Sequence, residues 1–158
     1  MRLGISAAVA ALVFGLVAGQ ALAGDISPQA NRAYLAANAT KPGVVVLPSG
    51  LQYRIIKSGA GQRPSPNDVV TVSYKGALVD GTVFDQTKPG ETRNLPANKV
   101  VPGWVEALSL MKEGDEWELV IPSELGYGAA RVGNGAIPPN QVLVFDMLLV
   151  AVKRAGGG

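Results

Sequence analysis

The chain has 158 residues, 47% of them apolar and 16% charged, with 14 Lys and Arg against 12 Asp and Glu. That is one ordinary domain with a small addition and material for a real core; a net charge of +2 is too slight for the basic stripe that nucleic acid requires. There is no Cys and no His, which excludes disulfides, Cys-held zinc, thiol catalysis and every His-based triad.

Residues 1–23 carry one positive residue, Arg2, ahead of an apolar run from about Ile5 to Ala18, and they end in Ala21-Leu22-Ala23. This is the pattern of a secretory signal peptide, with cleavage expected after Ala23 and a periplasmic or secreted destination. An uncleaved membrane anchor is the competing reading. The small-residue cleavage site and the change to polar Gly24-Asp25 argue against it, so no membrane anchor is expected after cleavage. Residues 24–48 form an extension of different texture. Ser27-Pro28 reads as an N-cap followed by proline at the first helical position, and Gln29–Asn38 places Ala30, Tyr34 and Ala37 on one side. Lys41-Pro42-Gly43 stops the helix. A helix this short is marginal alone, so it docks on the domain or frays. Asn38-Ala39-Thr40 fits a glycosylation sequon by pattern only.

Residues 49–153 have the texture of a β-rich domain with frequent turn signals. Strands are expected over Leu51–Lys57, alternating around Tyr53 and Ile55, and over Val69–Leu78. Asp80-Gly81 predicts a tight turn into Val83-Phe84. Trp117–Ile121 and Val142–Val152 are further strands, the last hydrophobic enough to be central. One internal stretch has helical spacing, with Trp104, Leu108 and Met111 on one face and Gly114 ending it. The expected class is α+β, an antiparallel sheet wrapped on a helix, followed by a flexible tail over 154–158. Ser58, Ser65 and Ser123 sit isolated in turn-like sequence, without the elbow a nucleophile needs. Asp115, Glu116 and Glu118 read as a solvated acidic face, and Gly126-x-Gly128 lacks the rest of a phosphate loop. Aromatic placement is more telling: Trp104 follows Pro102-Gly103, and Tyr127 sits between two glycines, a phenol presented by a loop.

Several motifs carry a resemblance. Gly50-Leu51-Gln52-Tyr53, Val72-Ser73-Tyr74-x-Gly76, Asp80-Gly81-Thr82-Val83-Phe84-Asp85 and Val100-Val101-Pro102-Gly103-Trp104 come in that order, followed by Leu125-Gly126-Tyr127-Gly128, Ile137-Pro138-Pro139-Asn140 and Leu143-Val144-Phe145-Asp146. The set resembles FKBP-type peptidyl-prolyl isomerases over residues 49–153, and the 24–48 lead-in resembles the short extensions of exported bacterial members. The resemblance implies a five- to six-stranded antiparallel sheet curled around one short helix, with an apolar hollow between them. In that pattern Trp104 is the floor, and Tyr74, Phe84, Val100, Val101, Ile137 and Phe145 are the walls. The Tyr127 hydroxyl and the Val101 backbone N–H are the donors, and Asp85 stands at the rim. It further implies isomerisation of X–Pro bonds in unfolded or exported polypeptides, with no cofactor and no metal. Macrolide inhibitors are a further implied ligand class.

The sequence departs from that pattern in three places. Leu95 stands where an aromatic wall residue is usual, which thins the wall for bulky macrolides. Lys99 takes a position often acidic or small, and the segment after Asp85 offers Lys88 but no evident basic partner. The alternative from another class is a chaperone of the cell envelope that binds peptide in the same hollow without catalysis. A monomer is expected, because residues 24–48 are too short for the long helical domain through which some relatives dimerise.

Overall fold

The computed structural model describes residues 24–155; the expected signal peptide, 1–23, and the tail residues 156–158 lie outside the described residues. Gln52–Lys57 (β2), Val69–Ala77 (β3), Val83–Gln86 (β4), Glu116–Ile121 (β6) and Leu143–Lys153 (β7) form where alternation placed them, and Val44–Val46 (β1) and Arg93–Pro96 (β5) join them. The sheet therefore has seven strands. All pairs are antiparallel, in the order β1-β2-β6-β7-β3-β4, with β5 on β3 beside β4. The hairpin at Asp80-Gly81 closes as its residues dictate: Leu78 N–H donates to the Thr82 carbonyl at 2.9 Å, and Gly81 adopts φ +90°.

The period of two puts opposite chemistry on the two faces. Along β7, Leu143, Phe145, Met147 and Leu149 are buried, while Val144, Asp146, Leu148 and Val150 point outward. Strand register then lines up Tyr53, Leu119, Phe145 and Gly76 in one inner row, and Ile55, Trp117, Met147 and Tyr74 in the next. The Tyr53 and Trp117 rings stack with centroids 4.2 Å apart. On the outer face the same register makes a charged row, Arg54–Glu118–Asp146–Lys75.

Two helices accompany the sheet: Pro28–Ala39 (α1) and Pro102–Leu110 (α2). The second lies on the inner face and buries Gly103, Trp104, Ala107 and Leu108, with Met111 sealed behind it. Burial of Leu108 and Met111 contributes about 1.5–3 kcal/mol each. Pro102 opens this helix, where its missing N–H costs nothing. Gly103 lets it approach the sheet, since a Cβ there would stand 2.7 Å from Ile121 Cγ2.

The structure adds one point to the sequence reading and corrects two. First, α1 docks through Asn31 and Asn38, its buried residues, with Ala30 and Tyr34 partly buried beside them. Asn31 donates to the Ile26 and Ser27 carbonyls and to Gln141 Oε1, and its Oδ1 accepts the Val142 N–H at 2.8 Å; Asn38 donates to Gln52 Oε1 at 2.8 Å. The helix has too little apolar surface to dock by burial, so amides hold it, and Asn38 inside that seam is closed to any glycan. Second, Asp115 is not solvated: it is 3% exposed, and its carboxylate accepts the Gly59 N–H and, at 2.8 Å, the Lys112 N–H. Backbone donors there replace the water that a buried polar group gives up. Third, the boundaries shift. A division after residue 48 separates β1 from β2, which pair through Val44–Arg54, Val45–Tyr53 and Val46–Gln52. Arg154 and Ala155, expected in the tail, are held by Asp68 at 2.8 and 3.0 Å.

Candidate active site

The hollow lies where α2 begins. Val101 is the N-cap of that helix: its carbonyl accepts the Trp104 and Val105 N–H groups, while its own N–H has no acceptor among the described residues. The next turn carries Trp104, 4% exposed, against the sheet. Its ring meets Tyr74 edge-on at 5.1 Å between centroids and Phe145 at 5.2 Å; Phe84 meets Phe145 at 5.6 Å, also edge-on. Edge-to-face packing is the favoured geometry for aromatic rings, and each pair adds about 0.5–1.5 kcal/mol beyond burial. Gly76 makes this convergence possible. A Cβ there would stand 2.6 Å from Phe145 Cε1 and 2.8 Å from Phe84 Cζ, so only glycine leaves room for both rings.

Tyr74, Phe84, Asp85, Leu95, Val100, Val101, Trp104, Tyr127 and Phe145 line one hollow of about 390 Å³, together with Lys99. Ile137 lines an adjoining lobe of about 260 Å³ with Val132 and Ala136, which shares Phe84, Asp85 and Tyr127 with the hollow. The ten residues singled out in the sequence are thus brought to one place, nine around the hollow and Ile137 beside it. Tyr127 stands on a loop set by glycines: Gly128 takes φ +57° and donates to the Ser123 carbonyl at 2.8 Å, and Asn140 N–H returns to the Gly128 carbonyl at 2.7 Å. The Tyr127 ring is 41% exposed, and its hydroxyl has no hydrogen-bond partner among the described residues.

The rim holds a residue that sequence reasoning missed. Tyr74 Oη donates to Asp85 Oδ2 at 2.5 Å, and Arg93 Nη1 donates to Tyr74 Oη and, at 3.2 Å, to Asp85 Oδ2. Arg93 begins β5, and the loop over 87–92 separates it from Asp85; no local spacing signalled the pairing. Burial pushes against the Asp85 carboxylate, but the Tyr74 hydroxyl and the Arg93 guanidinium outweigh it and hold its pKa below the ordinary value. Burial, then the Asp85 carboxylate, raises the Tyr74 phenol; burial, then Asp85, also raises Tyr127. At neutral pH the hollow therefore offers two neutral phenols, one of them free to donate, a free backbone N–H and an ionised Asp85 tied to Arg93. None of these groups is poised to exchange a proton near pH 7. The arrangement can bind an apolar ring and hydrogen-bond carbonyls around it, and it is not built for nucleophilic or acid–base chemistry.

A sheet curled on one short helix, with an aromatic hollow at the helix start, defines a class, and comparison with known proteins names it. Residues 61–150 match the model of the FKBP-type peptidyl-prolyl cis-trans isomerase, and residues 7–55 match that of the domain amino terminal to it. The chain belongs to the FKBP-type peptidyl-prolyl isomerase family. It is 52% identical over 124 residues to "Outer membrane protein MIP" of Legionella longbeachae, covering 78% of this chain and 53% of that one. It is 46% identical over 125 residues to "Peptidyl-prolyl cis-trans isomerase Mip" of Coxiella burnetii, covering 78% and 54%. The crystal structure of FkpA from Escherichia coli superposes with a TM-score of 0.76 at 37% identity, over 96% of this chain and 71% of that one. The chain spans about half the length of the curated relatives it matches.

Proposed function

We propose that this protein is a peptidyl-prolyl cis-trans isomerase that speeds rotation about X–Pro bonds in exported polypeptides. The observation that carries the reading is an aromatic hollow in which the Tyr127 hydroxyl and the Val101 N–H lack partners among the described residues. Rotation of an X–Pro bond needs neither nucleophile nor proton; the chain must cross a barrier of about 18–20 kcal/mol through a twisted state that has lost amide resonance. A planar amide is more polar than a twisted one, so a water-poor cradle favours the twisted form relative to water. In this reading Trp104 is the floor on which the prolyl ring lies, and Tyr74, Phe84, Leu95, Val100, Ile137 and Phe145 enclose it. The Tyr127 hydroxyl and Val101 N–H receive the carbonyls around the proline, and Asp85 faces the turning amide. A thousandfold acceleration requires only about 4 kcal/mol of preferential binding to the twisted form.

The name of one relative, an outer membrane protein, supports export together with the signal pattern of residues 1–23. The destination in this reading is the periplasm or the medium, with cleavage after Ala23. Among the described residues no helix is long and apolar enough to cross a membrane. The protein is read as a monomer, because α1 and β1 both dock on their own sheet; light scattering of the processed protein checks this, and twice the chain mass refutes it. Macrolides are a secondary ligand class for the hollow, weakened by Leu95.

The deciding experiment is a protease-free assay of cis-to-trans relaxation on an X–Pro peptide. Relaxation is expected to accelerate in proportion to protein concentration and to be nearly flat from about pH 5 to 9, since the Asp85 carboxyl is held below its ordinary value and the Tyr74 and Tyr127 phenols above theirs. Phe84→Ala and Tyr127→Phe each lower kcat/KM by about tenfold or more. An unaccelerated peptide that still binds the protein transfers the reading to a non-catalytic chaperone.

A further inference from the structure

The charges around the hollow are unevenly spent. Asp85 is engaged by Tyr74 and Arg93, and the Arg93 guanidinium is spent on the same two groups. Lys99 is different. Its backbone is fixed in the turn before α2, where its N–H donates to the Pro96 carbonyl at 3.1 Å, and the residue lines the hollow beside Leu95 and Val100. Among the described residues no carboxylate lies within salt-bridge distance of the Lys99 ammonium, and no acceptor bonds it. It is exposed to solvent. The adjoining lobe, lined by Val132, Ala136 and Ile137, shares Asp85 with the hollow and does not include Lys99. A polypeptide laid across the hollow therefore meets an unspent positive charge on one flank and apolar surface edged by a carboxylate on the other.

From this we infer that Lys99 makes the hollow selective for prolines with an acidic residue on one flank, the flank that passes the start of α2. The inference rests on the function proposed above and names its substrate class. A cation above low-dielectric aromatic and aliphatic walls attracts an incoming carboxylate more strongly than the same cation on an open surface. The residue remains exposed, so the gain is that of an exposed ion pair, about two- to fivefold in affinity or kcat/KM. It is also screened, because the Debye length falls from about 10 Å at 0.1 M salt to about 3 Å at 1 M.

The test compares peptides that differ only by Asp against Asn, or Glu against Gln, placed before or after the proline. Two readouts run on the purified protein: kcat/KM in the protease-free assay, and equilibrium binding followed by tryptophan fluorescence. The expected result is a two- to fivefold preference for the acid on one flank only, fading in 1 M salt. The preference is lost in Lys99→Gln and turned toward a Lys-bearing peptide in Lys99→Glu. Inversion by charge reversal, with Tm unchanged, separates a specificity role from a structural one. Equal values for acid and amide at both flanks overturn the inference, as does a preference that survives in Lys99→Gln. The two proposals fail separately: turnover without acid preference removes this one, whereas acid-selective binding without turnover removes the isomerase reading and leaves the role of Lys99 standing.

Discussion

Substituting Gly76 by Ala tests whether the hollow's walls are held by one close approach. Gly76 lies inside β3 and is paired with Phe145 on β7 and Asp85 on β4. Its φ is not among the positive ones, so alanine brings no backbone strain and the effect is steric. The added methyl would stand 2.6 Å from Phe145 Cε1, 2.8 Å from Phe84 Cζ and 3.0 Å from Phe145 Cδ1. Carbon atoms rest at about 3.5–4.0 Å, so each ring must retreat by roughly 1 Å. Phe145 is pinned by Trp104 and Tyr74, and Phe84, half-buried at the edge, is the ring that can give way. Overpacking of this kind costs about 1–3 kcal/mol, which lowers Tm by roughly 5–15 °C in a domain of this size. A 1 Å displacement of a wall costs activity about a hundredfold, equivalent to about 2.7 kcal/mol and so comparable with the upper end of the stability cost. Calorimetry and the isomerisation assay read the two effects. In Gly76→Ala/Phe84→Ala only the Phe145 contact remains, and the space left by the Phe84 ring lets Phe145 shift, so the loss of Tm is smaller than the sum of the two single losses while activity stays low, a non-additivity expected only of neighbours. A Gly76→Ala protein with wild-type Tm and kcat/KM would refute the claim that ring convergence depends on this glycine.

Three further outcomes follow from the electrostatics and the seams. Arg93→Ala removes a partner that keeps the Asp85 pKa low. A depressed carboxylate stabilises the fold above its unfolded pKa and loses that contribution as pH falls through the folded value, so wild type and variant differ by under about 1 kcal/mol at pH 7 and converge in acid, as urea titrations at several pH values should show. Asp146 behaves oppositely: burial, then the hydrogen bond and charge of Glu116, raise it to about 6 against the opposing pull of Lys75 and Arg54. Its folded state holds the proton longer than the unfolded chain, so this group withdraws stability as pH rises from about 4 to 6; Asp146→Asn raises Tm at pH 7, and the gain shrinks toward pH 4. Asn31→Ala strands the buried Val142 N–H and costs about 1–3 kcal/mol, with limited proteolysis cutting first near α1.

What the sequence disclosed was whatever local periodicity controls. The four longer strands and α2 stand where alternation and helical spacing put them, β4 follows the Asp80-Gly81 turn, and Tyr127 on its glycine-flanked loop was visible as a presented phenol. What stayed hidden depends on pairing at a distance. β1 is three valines and β5 is Arg-Asn-Leu-Pro, too short or too irregular to signal a strand, and each is ordered by the neighbour it bonds. Asp115 reads as solvated because nothing local reveals that the Gly59 and Lys112 amides will meet it. Arg93 was unreadable as the partner of Asp85 for the same reason, since the loop over 87–92 decides the meeting. The side of α1 that faces the sheet was not legible, because apolar periodicity is a poor guide where amides make the contact.

That amide seam has a consequence for how the molecule opens. Denaturants act in proportion to the surface an opening uncovers, and heat capacity changes mainly with the apolar share of it. Lifting α1 frees chiefly two asparagines and the groups they bond, and bares little oil. Hydrogen exchange in residues 28–39 should therefore proceed at a rate almost indifferent to urea, while the β7 amides quicken with every increment of it. The lead-in thus behaves as a latch that water can work, on a domain that only global unfolding can take apart.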